Sequence, residues 1–503
     1  MGLLLFSPAS LRNIEVILSA DPPSPTPTPN PIHSYTTYDD IRGHILLTTS
    51  IPQSFSSVEI SLLGTIRTTH PDHIAPIIAA AGTQHVFLKL TMPLPPSAYL
   101  DNDGSETHHL APGQPLKIPF HFVVPARLLP VACTHDLESP AIHDAHLQPP
   151  PSLGNSLLPR DDLTPEMASV TYGIHAKIMS VPPSASSYPQ TLASTLRKIH
   201  VVPTSPEAPP LSAGKDSSRY VLSKTKSLRR GVFKGKLGTL TLTTTQPRAF
   251  SLPPPPMNHT APTPSTLATL TLRFDPADPS CLPPRLGALT AKIRATTVHS
   301  IRPARGIPDE ETRSSPYEIH NGAYSTQVSL ASHEVTPAAA PWTYVVPAPA
   351  YERRDSGYST AESEGEVHAA AAGEAGGGKT GPYYTATIPL PLNLPGNKTW
   401  VPTFHSCLVS RFYTLMIRLM VHPPGKSAVR SSLALKVPVQ VLGQGRAGRE
   451  EAFEAGGRAV VEGAGLGWEG EGGGDLDMGG VVEGLAGDEL PGYVTPATRL
   501  RRR

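Results

Sequence analysis

Residues 113–125 read G-Q-P-L-K-I-P-F-H-F-V-V-P, and residues 161–178 read D-D-L-T-P-E-M-A-S-V-T-Y-G-I-H-A-K-I. In the first stretch Leu116, Ile118, Phe120, Phe122 and Val124 alternate with Lys117, Pro119, His121 and Val123. In the second, Val170, Tyr172, Ile174, Ala176 and Ile178 alternate with Thr171, Gly173, His175 and Lys177. A period of two places each apolar set on one face of a pleated strand, so each strand buries one side. Strand Ile118–Val124 and its partner Val170–Ile178 are therefore expected to be core, covered by further strands before and after them.

The chain supplies those strands. Leu11–Leu18, Tyr38–Thr48, Val58–Thr68 and Val86–Met92 read as strands, which gives the first 180 residues the spacing of an all-β sandwich. A second series follows: Leu237–Thr244, Thr266–Phe274, Leu289–His299, Ser325–Leu330, Tyr384–Leu390, Val409–Val421 and Leu433–Leu442. The expected fold is all-β, two tandem immunoglobulin-like sandwiches over residues 1–181 and 219–445. Residues 182–218 read as a polar linker. The Ala-, Gly-, Ser- and Glu-rich insert 338–381 and the Gly-rich acidic tail 446–503 are expected to be disordered, because neither can bury enough apolar surface to fold. The tail carries 11 Asp or Glu against one Arg between Glu450 and Glu489, and closes on R-L-R-R-R.

Composition excludes several classes. With 59 Pro and 41 Gly in 503 residues, long helices are disfavoured and short strands joined by turns are favoured. No run of apolar residues is long enough to span a bilayer as a helix. The opening M-G-L-L-L-F-S-P-A-S-L-R is too short and too poor in basic residues for a secretory signal, and Phe6 stands where a myristoylation pattern has Ser or Thr. Three scattered cysteines, Cys133, Cys281 and Cys407, suit reduced cytosolic thiols better than a disulfide framework or a zinc site. A net charge of +1 leaves any electrostatic role to local patches, and no nucleic-acid partner is expected.

The segments Y-D-D-I-R-G-H-I-L-L (38–47), V-E-I-S-L-L-G-T-I-R-T (58–68), H-V-F-L-K-L-T-M-P (85–93), P-G-Q-P-L-K-I-P-F-H-F-V-V-P (112–125) and A-S-V-T-Y-G-I-H-A-K-I (168–178) together resemble an arrestin N-domain of the fungal α-arrestin type. K-G-K-L-G-T-L-T-L (234–242), P-T-F-H-S-C-L-V-S-R-F-Y-T-L (402–415) and L-K-V-P-V-Q-V-L (435–442) are similar to the arrestin C-domain. The resemblance implies a cytoplasmic trafficking adaptor, peripheral to the plasma membrane and endosomes. Such an adaptor recognises the cytosolic tails of membrane transporters or receptors and brings a WW-domain HECT-type ubiquitin ligase to them. It further implies that the ligase docks on a proline-tyrosine motif, and Leu490-Pro491-Gly492-Tyr493 is the match here. The proline holds such a segment extended while the tyrosine enters an aromatic-lined groove. No P-P-x-Y is present, and this single match keeps a second expectation open, a ligase-independent vesicle-sorting or signalling scaffold of the same fold.

Two further groups carry candidate chemistry. Lys224, Lys226, Arg229, Arg230, Lys234 and Lys236 form a basic cluster for phosphorylated cargo tails or an anionic membrane surface, or a set whose lysines accept ubiquitin; the plainer reading is a solvated linker. Ser356, Ser359, Thr360 and Ser363 lie in R-R-D-S-G-Y-S-T-A-E-S-E-G-E as candidate phosphosites, whose phosphates would reach the basic cluster.

Three patterns suggest enzyme or metal chemistry. His143 and His146, with His135 and Asp136 nearby, invite a metal reading, but prolines bracket the stretch as a loop and two more ligands have no evident source. Cys133 and His135, two apart on an extended chain, can touch, yet no oxyanion donor or orienting acid accompanies them. Gly443-Gln444-Gly445-Arg446-Ala447-Gly448 mimics a dinucleotide fingerprint, but too little chain follows to close a Rossmann sheet. No enzymatic activity, metal or cofactor is expected.

Overall fold

The computed structural model describes residues 13–21, 32–70, 81–93, 108–154, 158, 160–182, 188–207, 220–229, 235–255, 263–307, 321–347, 381–424 and 430–449. The described residues are nearly all β. Its first half contains β1 (Asn13–Leu18), β2 (Ser34–Tyr35), β3 (Asp40–Thr48), β4 (Gln53–Phe55), β5 (Ser57–His70), β6 (Ala81–Thr91), β7 (His108–Leu110), β8 (Leu116–Val123), β9 (Ala168–Met179) and β10 (Thr191–Val201). A short helix, α1 (Pro140–His146), lies between β8 and β9. The second half contains β11 (Ser223–Arg229), β12 (Lys236–Thr244), β13 (Phe250–Leu252), β14 (Ser265–Pro276), β15 (Arg285–Ser300) and β16 (Asn321–Glu334). It continues with β17 (Thr343–Val345), β18 (Tyr383–Asn393), β19 (Phe404–His405), β20 (Val409–His422), β21 (Ser431–Val439) and β22 (Val441–Gly443).

In the first half the sheets run β1-β3-β8 and β2-β10-β9-β5-β6, with a small pair β4-β7. The strands carrying Ile118–Val124 and Val170–Ile178 do not pair with each other. They belong to different sheets whose apolar faces share one core. Ile118, Phe120, Phe122 and Val124 meet Val170, Tyr172, Ile174, Ala176 and Ile178 there, all buried. Burying each large side chain contributes about 1.5–3 kcal/mol. Gly64 lies opposite Tyr172 in the β5–β9 register. A Cβ on Gly64 would meet the Phe87 ring at 2.5 Å, so glycine admits the ring, which then packs edge-on to Tyr172 at 5.3 Å.

In the second half the sheets run β11-β12-β14-β18-β17 and β16-β15-β20-β19, with β21 also paired to β20. Leu240, Leu242, Leu270, Leu272, Phe274, Ile388 and Leu390 of the first sheet share a core with Leu289, Ile293, Leu415, Ile417, Leu433 and Leu435 of the second. The two halves interlock. Val401, Phe404, Cys407, Leu408 and Val409 belong to the first core, and Leu163 belongs to the second. Thr68 Oγ1 and Thr83 Oγ1 donate across the junction to the carbonyls of Ser300 and Ile301, both at 2.8 Å.

Four expectations are corrected. The span read as a linker, 182–218, contains β10, which pairs with β9 inside the first half. Its alternation is masked because Leu196 faces outward while Arg197, ion-paired with Asp21 at 3.0 Å, occupies an inward position. The insert read as 338–381 begins with folded chain: Ala340 is buried, Trp342 Nε1 donates to the Pro284 carbonyl, and β17 pairs with β18. Residues 348–380 lie outside the described residues. The start of the span read as tail, residues 446–449, is docked chain: Arg446 and Arg449 reach Asp39 and Asp40 of the first half. Finally, Pro140 starts a helix instead of bracketing a loop, because proline at the first helical position supplies a suitable φ where no N–H is needed.

Candidate functional site

Of the basic cluster, Lys224, Lys226 and Arg229 lie on β11, the edge strand of its sheet, and Lys236 begins β12. Lys226 and Lys224 stand opposite Leu240 and Leu242 in the register, on the face that carries buried Leu228. They point toward the open margin of the core with their heads exposed, and Lys226 Nζ reaches the Ser432 carbonyl of β21 at 3.4 Å. Inward-facing lysines on an edge strand also block pairing with another chain. Arg229 and Lys236 are register partners, so the hairpin end concentrates two positive charges. Lys224, Lys226, Arg229 and Lys236 thus lie on an ordered, charged strand pair rather than on a linker. Arg230, Lys234, Ser356, Ser359, Thr360, Ser363, Leu490, Pro491 and Tyr493 lie outside the described residues.

A polar junction that the sequence did not announce lies between the halves. Arg411 on β20 is fully buried, and its Nη2 donates to the carbonyls of Asp162 and Leu163 and to Thr164 Oγ1, at 3.2, 3.1 and 2.8 Å. The receiving turn is built for this. Asp162 accepts from the Gly154 and Thr164 amides, Asp161 accepts from the Leu163 amide, and Leu163 adopts a positive φ of 60°. Lys398 Nζ adds an ion pair to Asp161 at 2.9 Å. Lys398 and the Leu163 amide together hold the Asp161 carboxyl below its ordinary range.

A second junction lies around Cys407. The turn Ser406–Val409, closed by Ser406 Oγ on the Val409 carbonyl at 2.6 Å, presents Cys407 from between β19 and β20. From the first half, a 3-10 turn at Pro130–Ala132 ends on Cys133, and α1 ends on His146. Cys133, His135, His146 and Cys407 converge so that their ligand atoms all lie within 4.8 Å of one another. Cys133 Sγ is 3.4 Å from His135 Nε2 and 3.6 Å from His146 Nδ1. His135 Nδ1 lies 3.2 Å from the Asp136 carbonyl. A carbonyl can only accept, so this contact places the neutral ring's proton on Nδ1 and leaves the Nε2 lone pair facing the sulfur.

Burial pushes the Cys133 thiol above its usual range; it pushes Cys407 up to about 12, with neighbouring Cys133 adding to the shift. Burial first, then His135 and His143, takes His146 down to about 4. The thiols are thus protonated and His146 is neutral at neutral pH.

Against the sequence reading, the histidines brought together are His135 and His146, not the pair His143 and His146, and the cysteines come from opposite halves. Asp136 instead pairs with Arg305, and Asp144 with Arg127. Cys133 does touch His135, but a thiol raised by burial is a poor nucleophile. The only sequence signal for Cys407 was the count of cysteines, because nothing local in F-H-S-C-L-V marks a ligand.

No helix among the described residues is long and apolar enough to cross a membrane. No protein-family model matches the chain, and no curated protein matches it.

Proposed function

We propose that the chain is an arrestin-like trafficking adaptor of two tandem immunoglobulin-like sandwiches, which recognises membrane transporters or receptors and recruits a WW-domain HECT ubiquitin ligase. The observation that carries the reading is the order of the arrestin-like segments. Those at 38–47, 58–68, 85–93, 112–125, 168–178, 234–242, 402–415 and 435–442 fall in chain order on the strands that form two β cores. The charged β11–β12 edge supplies a cytosolic surface for acidic or phosphorylated cargo tails and anionic headgroups. Leu490, Pro491 and Tyr493 supply the ligase-docking motif. Its solitary, L-P-x-Y form favours, as the second reading, a ligase-independent sorting or signalling scaffold of the same fold.

The test is a titration of isolated ligase WW domains with a peptide spanning residues 484–499. Binding that disappears in the Tyr493→Ala peptide supports ligase recruitment. Equal binding by both peptides removes Tyr493 from the docking site, and no binding by either favours the scaffold.

A further inference from the structure

We propose that Cys133, His135, His146 and Cys407 bind one Zn2+ ion tetrahedrally, as a structural staple between the two halves of the chain. The donor set is two sulfurs and two imidazole nitrogens, the combination that selects zinc over hard cations such as Mg2+ or Ca2+. The spacing fits. Zinc–sulfur and zinc–nitrogen bonds at tetrahedral angles place a sulfur about 3.6 Å from each nitrogen. The two Cys133–histidine separations are 3.4 and 3.6 Å, and no ligand atom lies beyond 4.8 Å of another.

The surroundings fit a ligand role as well. His135 is oriented by the Asp136 carbonyl, the outer contact typical of a ligating histidine. The Ala132 carbonyl, 3.1 Å from His85 Nε2, fixes the turn that carries Cys133; the Cys407 S–H contact to the same carbonyl, at 3.9 Å, is given up when that thiol loses its proton to bind zinc. Three of the four residues are buried and all four tetrahedral positions come from protein, so the site is closed, as structural rather than catalytic zinc requires. Binding is balanced by proton release: Zn2+ replaces the two thiol protons, giving two Zn–S bonds and two protons to solvent, while both imidazoles bind through lone pairs.

The consequence is mechanical. The ion would clamp the 130–147 segment onto the β19–β20 turn, beside the backbone bonds from the Glu138 amide to the Arg305 carbonyl and from the Ala304 amide to the Cys407 carbonyl. Zinc would thus set how firmly the two halves hold together.

The test uses the full-length chain, purified with reductant and without added metal. Zinc content by mass spectrometry is expected at one ion per chain. After chelation, Co2+ should produce the visible absorption of a tetrahedral thiolate–imidazole site, with sulfur-to-cobalt charge transfer. Cys407→Ser, and His135→Gln at the half-exposed ligand, should hold substoichiometric zinc and lose the cobalt bands. Cys281→Ser, a buried cysteine outside the cluster, should behave as wild type. The wild-type cobalt spectrum stands whether or not a variant folds. Wild type with neither stoichiometric zinc nor a tetrahedral cobalt spectrum would overturn the proposal. So would a Cys133–Cys407 disulfide in the reduced preparation, or Cys407→Ser retaining wild-type metal.

Discussion

Arg411 on β20 donates a 2.8 Å hydrogen bond to Thr164 Oγ1 of the first half while completely buried. One guanidinium nitrogen, Nη2, also serves the Asp162 and Leu163 carbonyls, whereas Nε and Nη1 have no hydrogen-bond partner among the described residues. The contact therefore holds the two halves in register at the cost of a partly unsatisfied buried cation.

This split gives the first prediction. Arg411→Ala leaves three acceptors without their donor and opens a cavity, and should lower stability by about 3 kcal/mol. Arg411→Met fills the space and removes the buried charge, so it should recover at least half of that loss. Urea unfolding of the three proteins measures both effects. A methionine variant as unstable as the alanine variant would show that the hydrogen bonds, not packing, dominate.

Gly154 anchors the same turn from the other side. Its φ is +69°, its amide donates to Asp162 at 2.7 Å, and a Cβ would lie 2.7 Å from the Ala168 carbonyl. Gly154→Ala combines an unfavourable φ with a backbone collision and should cost about 2–3 kcal/mol. Thermal unfolding would register this as a lower Tm, by more than Gly113→Ala, where the φ of +76° is also unfavourable for alanine but the space is open.

Asp39 and Arg446 make a comparable tie at the other end of the junction. Arg446 Nε lies 2.9 and 3.2 Å from the two carboxylate oxygens of Asp39, which is 4% exposed on its side chain and also accepts the Thr36 amide at 3.0 Å. Removing the arginine strands a buried acid, so Arg446→Ala should destabilise by about 2 kcal/mol. Truncating the chain before residue 446 should cost at least as much, because it also removes Arg449 from Asp40, and equal stability of the truncated chain would refute the role of this contact.

A pH dependence follows from His200. Burial takes this imidazole down to about 4, opposed by nearby Asp162. Its folded-state value lies below the ordinary value near 6.5, so between those limits the unfolded chain binds the proton more tightly. The contribution is fully present above pH 6.5 and is lost as pH falls toward 4. From pH 7.5 to pH 5 this group alone should remove about 2 kcal/mol of stability. In His200→Gln that part of the pH dependence should vanish, whatever the variant's stability at pH 7.5. An unchanged pH slope in the variant would exclude the assignment.

The strands were legible because their alternation is local. Ile118–Val124 and Val170–Ile178 carry their burial pattern in their own side chains. β10 was hidden because Arg197 takes a core-facing position, where it is ion-paired with Asp21, far earlier in the chain. The helix at Pro140–His146 was misread because proline signals both a break and a first turn. The convergence of Cys133 with Cys407, and of Arg411 with Thr164, depends on how the halves dock, and no local pattern encodes that. The docking of Arg446 onto Asp39 was obscured by the glycine-rich composition around it, which resembles the tail that follows.

The proposed recruitment of a ubiquitin ligase is tested by pulling down a WW-domain HECT ligase with the full-length chain, carrying Tyr493 or Ala at that position. Capture by the wild-type chain and loss of capture by Tyr493→Ala are expected, with the β-sheet circular dichroism of both unchanged. Failure of the folded wild-type chain to capture the ligase, or equal capture by both proteins, would contradict it.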